Sequence, residues 1–193
     1  MPESRDYRRR RYHLARPWRT GAASGACKQS GGALGGSGKV LLVHSDSVNW
    51  AADVQTKLKS FADVAQVDIG ASGATPTLAT MKQYSVVYVW ANGGFSDAPG
   101  LGNNLADYVD AGGGVVLATF VTNGGTQGPS GRFITGGYQV IPYSGSNWAA
   151  GTLGTVYFPN HPLMTNVKTF TTTAYRSGTN TVTAGSVRVA DFT

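Results

Sequence analysis

The chain has 193 residues, enough for one domain with a sizeable core, and its formal net charge is +6. Nine of its 16 Lys and Arg residues lie in residues 1–40, so that segment carries +7 and the remaining 153 residues carry −1. The single cysteine, Cys27, lies in the same basic segment, which excludes a disulfide framework, a CxxC zinc site and a thiol nucleophile from the rest of the chain. No apolar run reaches the roughly 18 residues of a transmembrane helix, so we predict no membrane span.

Residues 1–38 are predicted to be a disordered tail and linker. Residues 1–20 are Arg-rich with interleaved aromatics, and residues 21–38 are rich in Gly, Ser and Ala, a composition that buries too little apolar surface to order itself. Three interpretations of the tail stay open: an arm for nucleic acid or another anionic surface, an organelle presequence, or a plain solvated extension. The tail lacks the apolar segment of a secretory signal, although the charge-poor remainder is typical of extracellular or surface proteins, and no compartment is predicted.

Residues 39–193 are expected to form one α/β domain. The apolar run KVLLVH at 39–44 predicts a strand buried on both faces, and AQVDIG at 65–70 predicts a second one. Between them, helical spacing places Trp50, Val54, Leu58 and Phe61 on one stripe, which we expect in the core. A short helix is expected around 77–82.

The stretch 84–120 is the firmest indication of fold class. It reads YSVVYVWANGGFSDAPGLGNNLADYVDAGGGVVLATF: a strand at 85–90, a Gly-bearing loop, an amphipathic helix, a glycine stop and a strand at 115–120. The helix carries its apolar stripe at Leu101, Leu105, Tyr108 and Val109. Such a βαβ unit favours parallel strands with right-handed crossovers.

We therefore predict a three-layer, doubly wound, mainly parallel and flavodoxin-like sheet with strand order 2-1-3-4. Beyond Phe120 the pattern changes to a Gly-rich excursion over the carboxyl edge of the sheet. The alternating segments TFTTTAYRS and SVRVADFT then predict an antiparallel edge at the C-terminus.

A ligand site is expected between the first and third strands, because open α/β sheets bind ligands at the carboxyl ends of the strands where strand order reverses. Polar side chains on the loops there suit hydroxyl-rich or anionic ligands. The candidates are His44, Ser45, Asp46, Ser47, Asn92, Asp97 and Thr119, with Arg132 and His161 reaching in from later loops.

Each candidate with a charge or an imidazole also has a plain structural interpretation. Asp46 or Ser47 is suited to cap the first helix, and Asp97 to cap the helix that follows it. His44 at a strand end is typical of a satisfied structural histidine, His161 of a turn before proline, and Arg132 of a surface ion pair.

Several chemistries are excluded by missing motifs. The sequence has no P-loop, no GxSxG elbow after a strand and no HExxH, and we predict neither a metal nor a cofactor. Residues 39–193 contain no glutamate, so a paired-carboxylate enzyme would have to use Asp46 and Asp97.

With these residues laid out, residues 39–193 resemble the class I glutamine amidotransferase-like superfamily, and within it the ThuA-like and uncharacterised bacterial members that lack the amidotransferase site. The segments that carry the resemblance are KVLLVHSDS, YSVVYVWANGGFSD, LADYVDAGGGVVLATF and HPLMTNV. Amidotransferases place a Cys at the end of a central strand, where this chain has Ala118-Thr119-Phe120-Val121, so the resemblance excludes glutaminase chemistry. Such relatives continue past a segment like SVRVADFT, which implies either a fragment or a shortened domain with an exposed sheet edge.

The sequence therefore favours a non-catalytic module that binds a ligand, such as a carbohydrate, or that self-assembles through its C-terminal edge. Two alternatives are kept. One is a hydrolase or isomerase of a sugar or polyol, with Asp46 as base, Asp97 or His161 as acid, and Asn92 and Arg132 as positioning groups. The other is nucleic-acid binding through the Arg-rich tail.

Overall fold

The computed structural model describes residues 37–118 and 120–193, so the predictions for the tail, and the candidate Thr119, lie outside the described residues. Its centre is a four-stranded parallel sheet in the order β2-β1-β3-β4, which confirms the predicted strand order. The strands are β1 (Lys39–Ser45), β2 (Gln66–Ile69), β3 (Val86–Ala91) and β4 (Gly114–Leu117).

Helices cover both faces of this sheet. Because successive residues of β1 point to opposite faces, the strand contributes side chains to the core on each side. Val40 and Leu42 pack with α1 (Val48–Lys59) in one core cluster. Leu41 and Val43 pack with α3 (Ala98–Asp110) in the other. The continuous apolar run of β1 therefore fills two cores at once, as expected for a central parallel strand.

Helix α1 is turned differently from the sequence prediction. Leu58 is buried, but Trp50 is 63% exposed and Phe61 is 37% exposed, so the prediction of core positions for these two aromatics was wrong. The buried face of α1 contains Ala51 and Leu58, so the helix is rotated by one residue relative to the predicted face with Trp50. The small Ala51 side chain lets the helix approach the sheet closely. Phe61 lies beyond the end of the helix at Lys59.

Helix α3 confirms its predicted stripe and its predicted cap. Leu101, Leu105, Tyr108 and Val109 are all buried against the sheet. A short helix, α2 (Leu78–Met81), precedes β3 and is capped by Thr77. The last turn of α3 is followed by Gly112 at φ 93°, a left-handed conformation that favours glycine and turns the chain into β4.

After β4 the chain crosses the carboxyl edge in short turns. Two 3₁₀ turns, Val121–Asn123 and Gly125–Gln127, lead to the one-turn helix α4 (Arg132–Thr135). Val121, Phe133 and Tyr138 return into the core on the α3 side of the sheet. The Gly-rich excursion is thus anchored by a few buried apolar side chains.

The C-terminal strands are antiparallel, as predicted, and they pair with one another in small sheets of their own. The strands are β5 (Ser146–Trp148), β6 (Gly151–Val156), β7 (Thr171–Thr172), β8 (Tyr175–Ser177) and β9 (Ala190–Phe192). β5 pairs with β8, and β6 pairs with both β7 and β9. A 3₁₀ turn, Pro162–Met164, separates β6 from β7.

Candidate functional site

The carboxyl ends of β1 and β3 lie side by side, where the sequence placed the site. His44 is opposite Trp90 and Ser45 is opposite Ala91 in the parallel register. The backbone N–H of Gly93 donates to the carbonyl of Ser45 at 2.7 Å, and the Ser45 hydroxyl donates to the carbonyl of Gly93 at 2.8 Å. Ser45 is therefore a structural residue that ties the two loops together.

His44 is a satisfied structural histidine. Its side chain is 1% exposed, and its ring stacks on Trp90 with 4.9 Å between the ring centroids. The backbone N–H of Asp46 donates to Nδ1 at 3.2 Å, which leaves Nε2 to donate to the carbonyl of Gly70 at 3.1 Å. We assign the proton to Nε2 because a ring nitrogen that accepts a hydrogen bond carries none.

Asp46 is the charged group that joins the two strand ends. Its Oδ1 accepts from the backbone N–H of Ser47 at 2.8 Å and from the Asn92 amide at 3.4 Å. Its Oδ2 accepts from the indole N–H of Trp90 at 3.3 Å. Asp46 is half-buried and Asn92 is exposed, so this pair presents a carboxylate and an amide at the carboxyl ends of β1 and β3, a surface that we call the polar rim.

Ser47 and Asp97 lie at the starts of helices. Ser47 occupies the N-cap position of α1, but its side chain makes no capping hydrogen bond. Asp97 caps α3 by accepting from the backbone N–H of Gly100 at 2.8 Å, which confirms the plain interpretation of this carboxylate. The backbone carbonyl of Asp97 also accepts from the Thr75 hydroxyl at 3.0 Å.

Arg132 forms an ion pair on the flank of α3, which confirms its plain structural interpretation as a surface ion pair. Its guanidinium donates to Asp107 and, at 2.9 Å, to Asp110, and it lies over the ring of Tyr138 at 5.3 Å. Both aspartates belong to the last turns of α3, roughly 14 Å (Asp107) and 18 Å (Asp110) along the helix from its first residue, Ala98. The carboxylate of Asp110 raises the pKa of Arg132, and burial together with Asp110 raises the pKa of Tyr138.

His161 caps a turn in the C-terminal region. Its Nδ1 accepts from the backbone N–H of Leu163 at 3.2 Å, at the start of the 3₁₀ turn Pro162–Met164. This confirms the interpretation that the histidine closes a turn before proline.

Three side chains that the sequence did not single out extend the polar rim. Trp90 was expected only as a strand residue, yet its indole N–H reaches Asp46. The Gln127 amide donates to the carbonyl of Asn92 at 3.0 Å and its oxygen accepts from the Asn123 amide at 3.1 Å. The side-chain oxygen of Asn123 is buried and has no hydrogen-bond partner among the described residues. The Asn123 and Gln127 amides lie in a Gly-rich stretch and have no local sequence signal, because their positions depend on how the turns after β4 fold back.

Phe120 has an unusual backbone conformation next to this rim. It lies two residues after Ala118, which follows β4. Its φ is 69°, a left-handed conformation that is uncommon outside glycine. Its ring meets the ring of Tyr175 edge-on at 4.8 Å.

A cavity of about 80 Å³ lies elsewhere, among the C-terminal strands. Its walls are mainly apolar, and the ion pair between Arg188 and Asp191 lines one side. The hydrogen bonds from Arg188 and from the Tyr157 hydroxyl lower the pKa of Asp191. The cavity is smaller than the roughly 300–1,000 Å³ of typical small-molecule pockets.

Comparison with known proteins yields one distant likeness. No family model matches the sequence, and no curated protein matches it. The solved structure of a protein from Bacteroides uniformis ATCC 8492, named ThuA-like, is 18% identical, with a TM-score of 0.49. The match covers 70% of this chain and 58% of that chain, so this chain spans less than two thirds of the other protein.

The described residues also bear on metal binding and on membrane insertion. Within residues 37–118 and 120–193, no three His, Cys, Asp or Glu side chains are grouped closely enough to hold a metal ion. Of the helices in the described part of the chain, none has the length and apolar character to cross a bilayer.

Proposed function

We propose that the chain is a non-catalytic binding module on an amidotransferase-like, flavodoxin-like fold, and that the carboxyl edge of its parallel sheet binds a neutral, hydroxyl-rich ligand. The observation that carries this proposal is the meeting of the Asp46 carboxylate and the exposed Asn92 amide at the ends of β1 and β3. A carboxylate beside an amide offers acceptors and donors at once, which matches hydroxyl groups that do both.

Binding is favoured over catalysis because the groups proposed as acids are already engaged. Asp97 accepts a backbone hydrogen bond as the cap of α3, and His161 does so in a 3₁₀ turn. A hydrolase or isomerase that uses Asp46 as base would need one of these two side chains to leave its cap.

A neutral ligand is favoured by the charge distribution. Residues 41–193 carry a net charge of −1, and the one charged group among the rim contacts is the Asp46 carboxylate. Arg132, the one arginine among the predicted site residues, is paired with Asp107 and Asp110 on the flank of α3. An anion at the rim would therefore meet the Asp46 carboxylate, and the rim contacts named among the described residues include no cation to compensate it.

The proposal is tested by titrating three neutral hexasaccharides, made of glucose (β-1,4 and α-1,4) and of xylose, into the full chain by isothermal calorimetry. We expect at least one to bind, and Asp46→Asn and Asn92→Ala each to weaken that binding about tenfold, because the first replaces a charged acceptor by an amide and the second removes the amide from the rim. Asp53→Asn is the matched control, since Asp53 is an exposed aspartate of α1 paired with Lys57. Binding that survives both rim substitutions unchanged would contradict the proposal, and cleaved or isomerised sugar after incubation would favour the enzyme.

Self-association is a second candidate function. Two neighbouring aromatics after β6, Tyr157 and Phe158, are 44% and 50% exposed, and the net charge of residues 41–193 is close to zero. Both features favour contact between copies of a chain. Light scattering at high concentration tests this function: oligomers that Phe158→Ala dissociates would support it, and a monodisperse monomer would exclude it.

A further inference from the structure

Three aromatic side chains form a row that leads outward from the carboxyl edge of the sheet. Phe120 contacts Tyr175 edge-on at 4.8 Å, and Tyr175 contacts Trp148 at 5.0 Å, with an angle of 43° between the rings. Trp148, at the outer end of this aromatic row, is 81% exposed. An indole this exposed contributes little to the core, so its placement calls for another explanation.

The backbone holds the outer end of the aromatic row in place. Trp148 on β5 lies directly opposite Tyr175 on β8 in an antiparallel pair, and Ser146 lies opposite Ser177 two residues away. Residues two apart on a strand share a face, so both serines lie on the same side of this two-stranded ribbon as the two rings. The result is an exposed indole, backed by a tyrosine and flanked by hydroxyl groups.

The aromatic row belongs to the same edge of the molecule as the polar rim. The backbone N–H groups of Ser144 and Gly145, just before β5, donate to the carbonyl of Thr122 at 3.0 and 3.2 Å. Thr122 belongs to the 3₁₀ turn that also contains Asn123, and Asn123 is joined through Gln127 to Asn92. Hydrogen bonds, together with the peptide link between Thr122 and Asn123, thus connect the Asp46–Asn92 pair to the start of the ribbon.

We infer that the aromatic row is a stacking subsite for a ring of the neutral, hydroxyl-rich ligand, with a pyranose ring laying its C–H face on the indole of Trp148. This inference rests on the proposed function and extends it to a ligand of several sugar units. The negative π-face of an indole attracts the weakly positive C–H groups of a sugar ring, while the sugar hydroxyls stay at the edge of the contact. A ring already held by its neighbours loses little conformational freedom on binding.

Charge favours a sugar over a nucleic-acid base on this surface. Bases also stack on aromatic rings, but their phosphates require cations close by. Arg176 is the cation of the ribbon. It pairs with Asn147, one residue away from Trp148 and Tyr175, so its side chain is on the other face of the ribbon from the two rings, where it lies over Gly151. The remaining charge of residues 41–193 is net negative.

The test uses the same three hexasaccharides and the full chain, with Trp148→Ala, Trp148→Phe and, as matched control, Phe61→Ala, at a partly exposed aromatic beyond the end of α1. We expect Trp148→Ala to weaken binding about tenfold, Trp148→Phe to retain part of the affinity, and Phe61→Ala to bind like the unmodified chain. Near-ultraviolet circular dichroism of each variant checks that the fold is kept.

The possible results separate the inference from the proposed function. If Trp148→Ala binds as tightly as the unmodified chain while Asp46→Asn does not, the aromatic row is no subsite and the rim stands. If Trp148→Ala alone loses affinity, the aromatic row stands and the rim does not bind. If no hexasaccharide binds, both fail. A loss of oligomers in light scattering, or of single-stranded DNA binding, as the sole effect of Trp148→Ala would assign the row to a second copy or to nucleic acid and overturn the inference.

Discussion

His44 is buried at the end of a central strand with both ring nitrogens hydrogen-bonded to the backbone. Replacing it by alanine opens a cavity under Trp90 and leaves the carbonyl of Gly70 without its donor. We expect His44→Ala to lower the free energy of unfolding by about 3 kcal/mol, measured by urea denaturation. His161→Ala is the control, because the loss of one cap in a short turn costs about 1 kcal/mol or less. Equal losses for the two histidines would contradict the structural role given to His44.

Asp191 makes the free energy of unfolding depend on pH in the acid range. Hydrogen bonds from Arg188 and Tyr157 to its carboxylate, which is 10% exposed, hold its pKa below the ordinary value of 3.8. A carboxyl with a lowered pKa stabilises the fold above that ordinary value, and the stabilisation is lost as the pH falls through the folded-state pKa.

We therefore expect thermal stability to decline below about pH 4, and Asp191→Asn to flatten this part of the profile while lowering stability at pH 7. Differential scanning calorimetry between pH 7 and pH 2 measures both effects. Asp53→Asn should leave the profile close to that of the unmodified chain, since its exposed pair with Lys57 stabilises the fold little. Parallel profiles for Asp191→Asn and the unmodified chain would contradict the ion-pair account.

Helix α3 contacts the loop after the 3₁₀ turns so closely that one of its glycines has no room for a side chain. A Cβ on Gly102 would lie 1.8 Å from the backbone oxygen of Ser130. Alanine normally stabilises a helix interior by about 1 kcal/mol relative to glycine. We expect the opposite here, with Gly102→Ala costing about 2 kcal/mol or more in urea denaturation because backbone has to move.

Gly100→Ala is the matched control in the same helix. Its Cβ would meet the Asp97 carboxylate, a side chain that can turn away, so the lost cap and the gained helix propensity roughly cancel. If both substitutions had the same effect, the close contact between α3 and Ser130 would not limit packing.

Elements whose signal is local could be predicted from the sequence. The strands β1 and β3 are continuous apolar runs, and α3 combines a clean stripe with an aspartate cap and a glycine stop. The rotation of α1 could not be predicted in the same way. Trp50 and Ala51 are neighbours, and the choice between them depends on how closely the helix lies on the sheet, which is a tertiary property.

The same distinction holds for the candidate site. Asp46 and Asn92 follow adjacent parallel strands, so the strand order alone brings them together. Arg132 follows a Gly-rich excursion, and its pairing with Asp107 and Asp110 depends on the path of those turns. Trp148 and Tyr175 are joined only by the pairing of β5 with β8, two short strands with little local signal.

At the scale of the whole molecule, the basic charge resides in residues 1–40 and the near-neutral charge in the rest. Nucleic-acid binding through the tail stays a prediction, since that segment up to residue 36 lies outside the described residues. If it is correct, deleting residues 1–38 removes the affinity for a single-stranded oligonucleotide that falls between about 50 and 200 mM salt, as measured by fluorescence anisotropy. Equal salt-sensitive binding by the shortened chain would refute it.

In the proposed function, the rim and the aromatic row together form one ligand-binding edge, at the carboxyl ends of the parallel strands. The apolar cavity among the C-terminal strands is the competing location, and of the residues named at this edge it shares Ser177, whereas Leu163, Val182 and Val189 line the cavity and lie outside the rim and the aromatic row. A ligand bound to the edge and one bound to the cavity are therefore distinguishable residue by residue.

The most direct measurement is a ¹H–¹⁵N correlation spectrum of the labelled chain, titrated with the hexasaccharide that binds most tightly. We predict that the shifted signals are the Asn92 side-chain amide, the Gly93 backbone amide and the indole N–H groups of Trp90 and Trp148. Shifts confined to cavity residues such as Leu163, Val182 and Val189, or an unchanged spectrum, would contradict the central claim that the carboxyl edge of the sheet binds a neutral, hydroxyl-rich ligand.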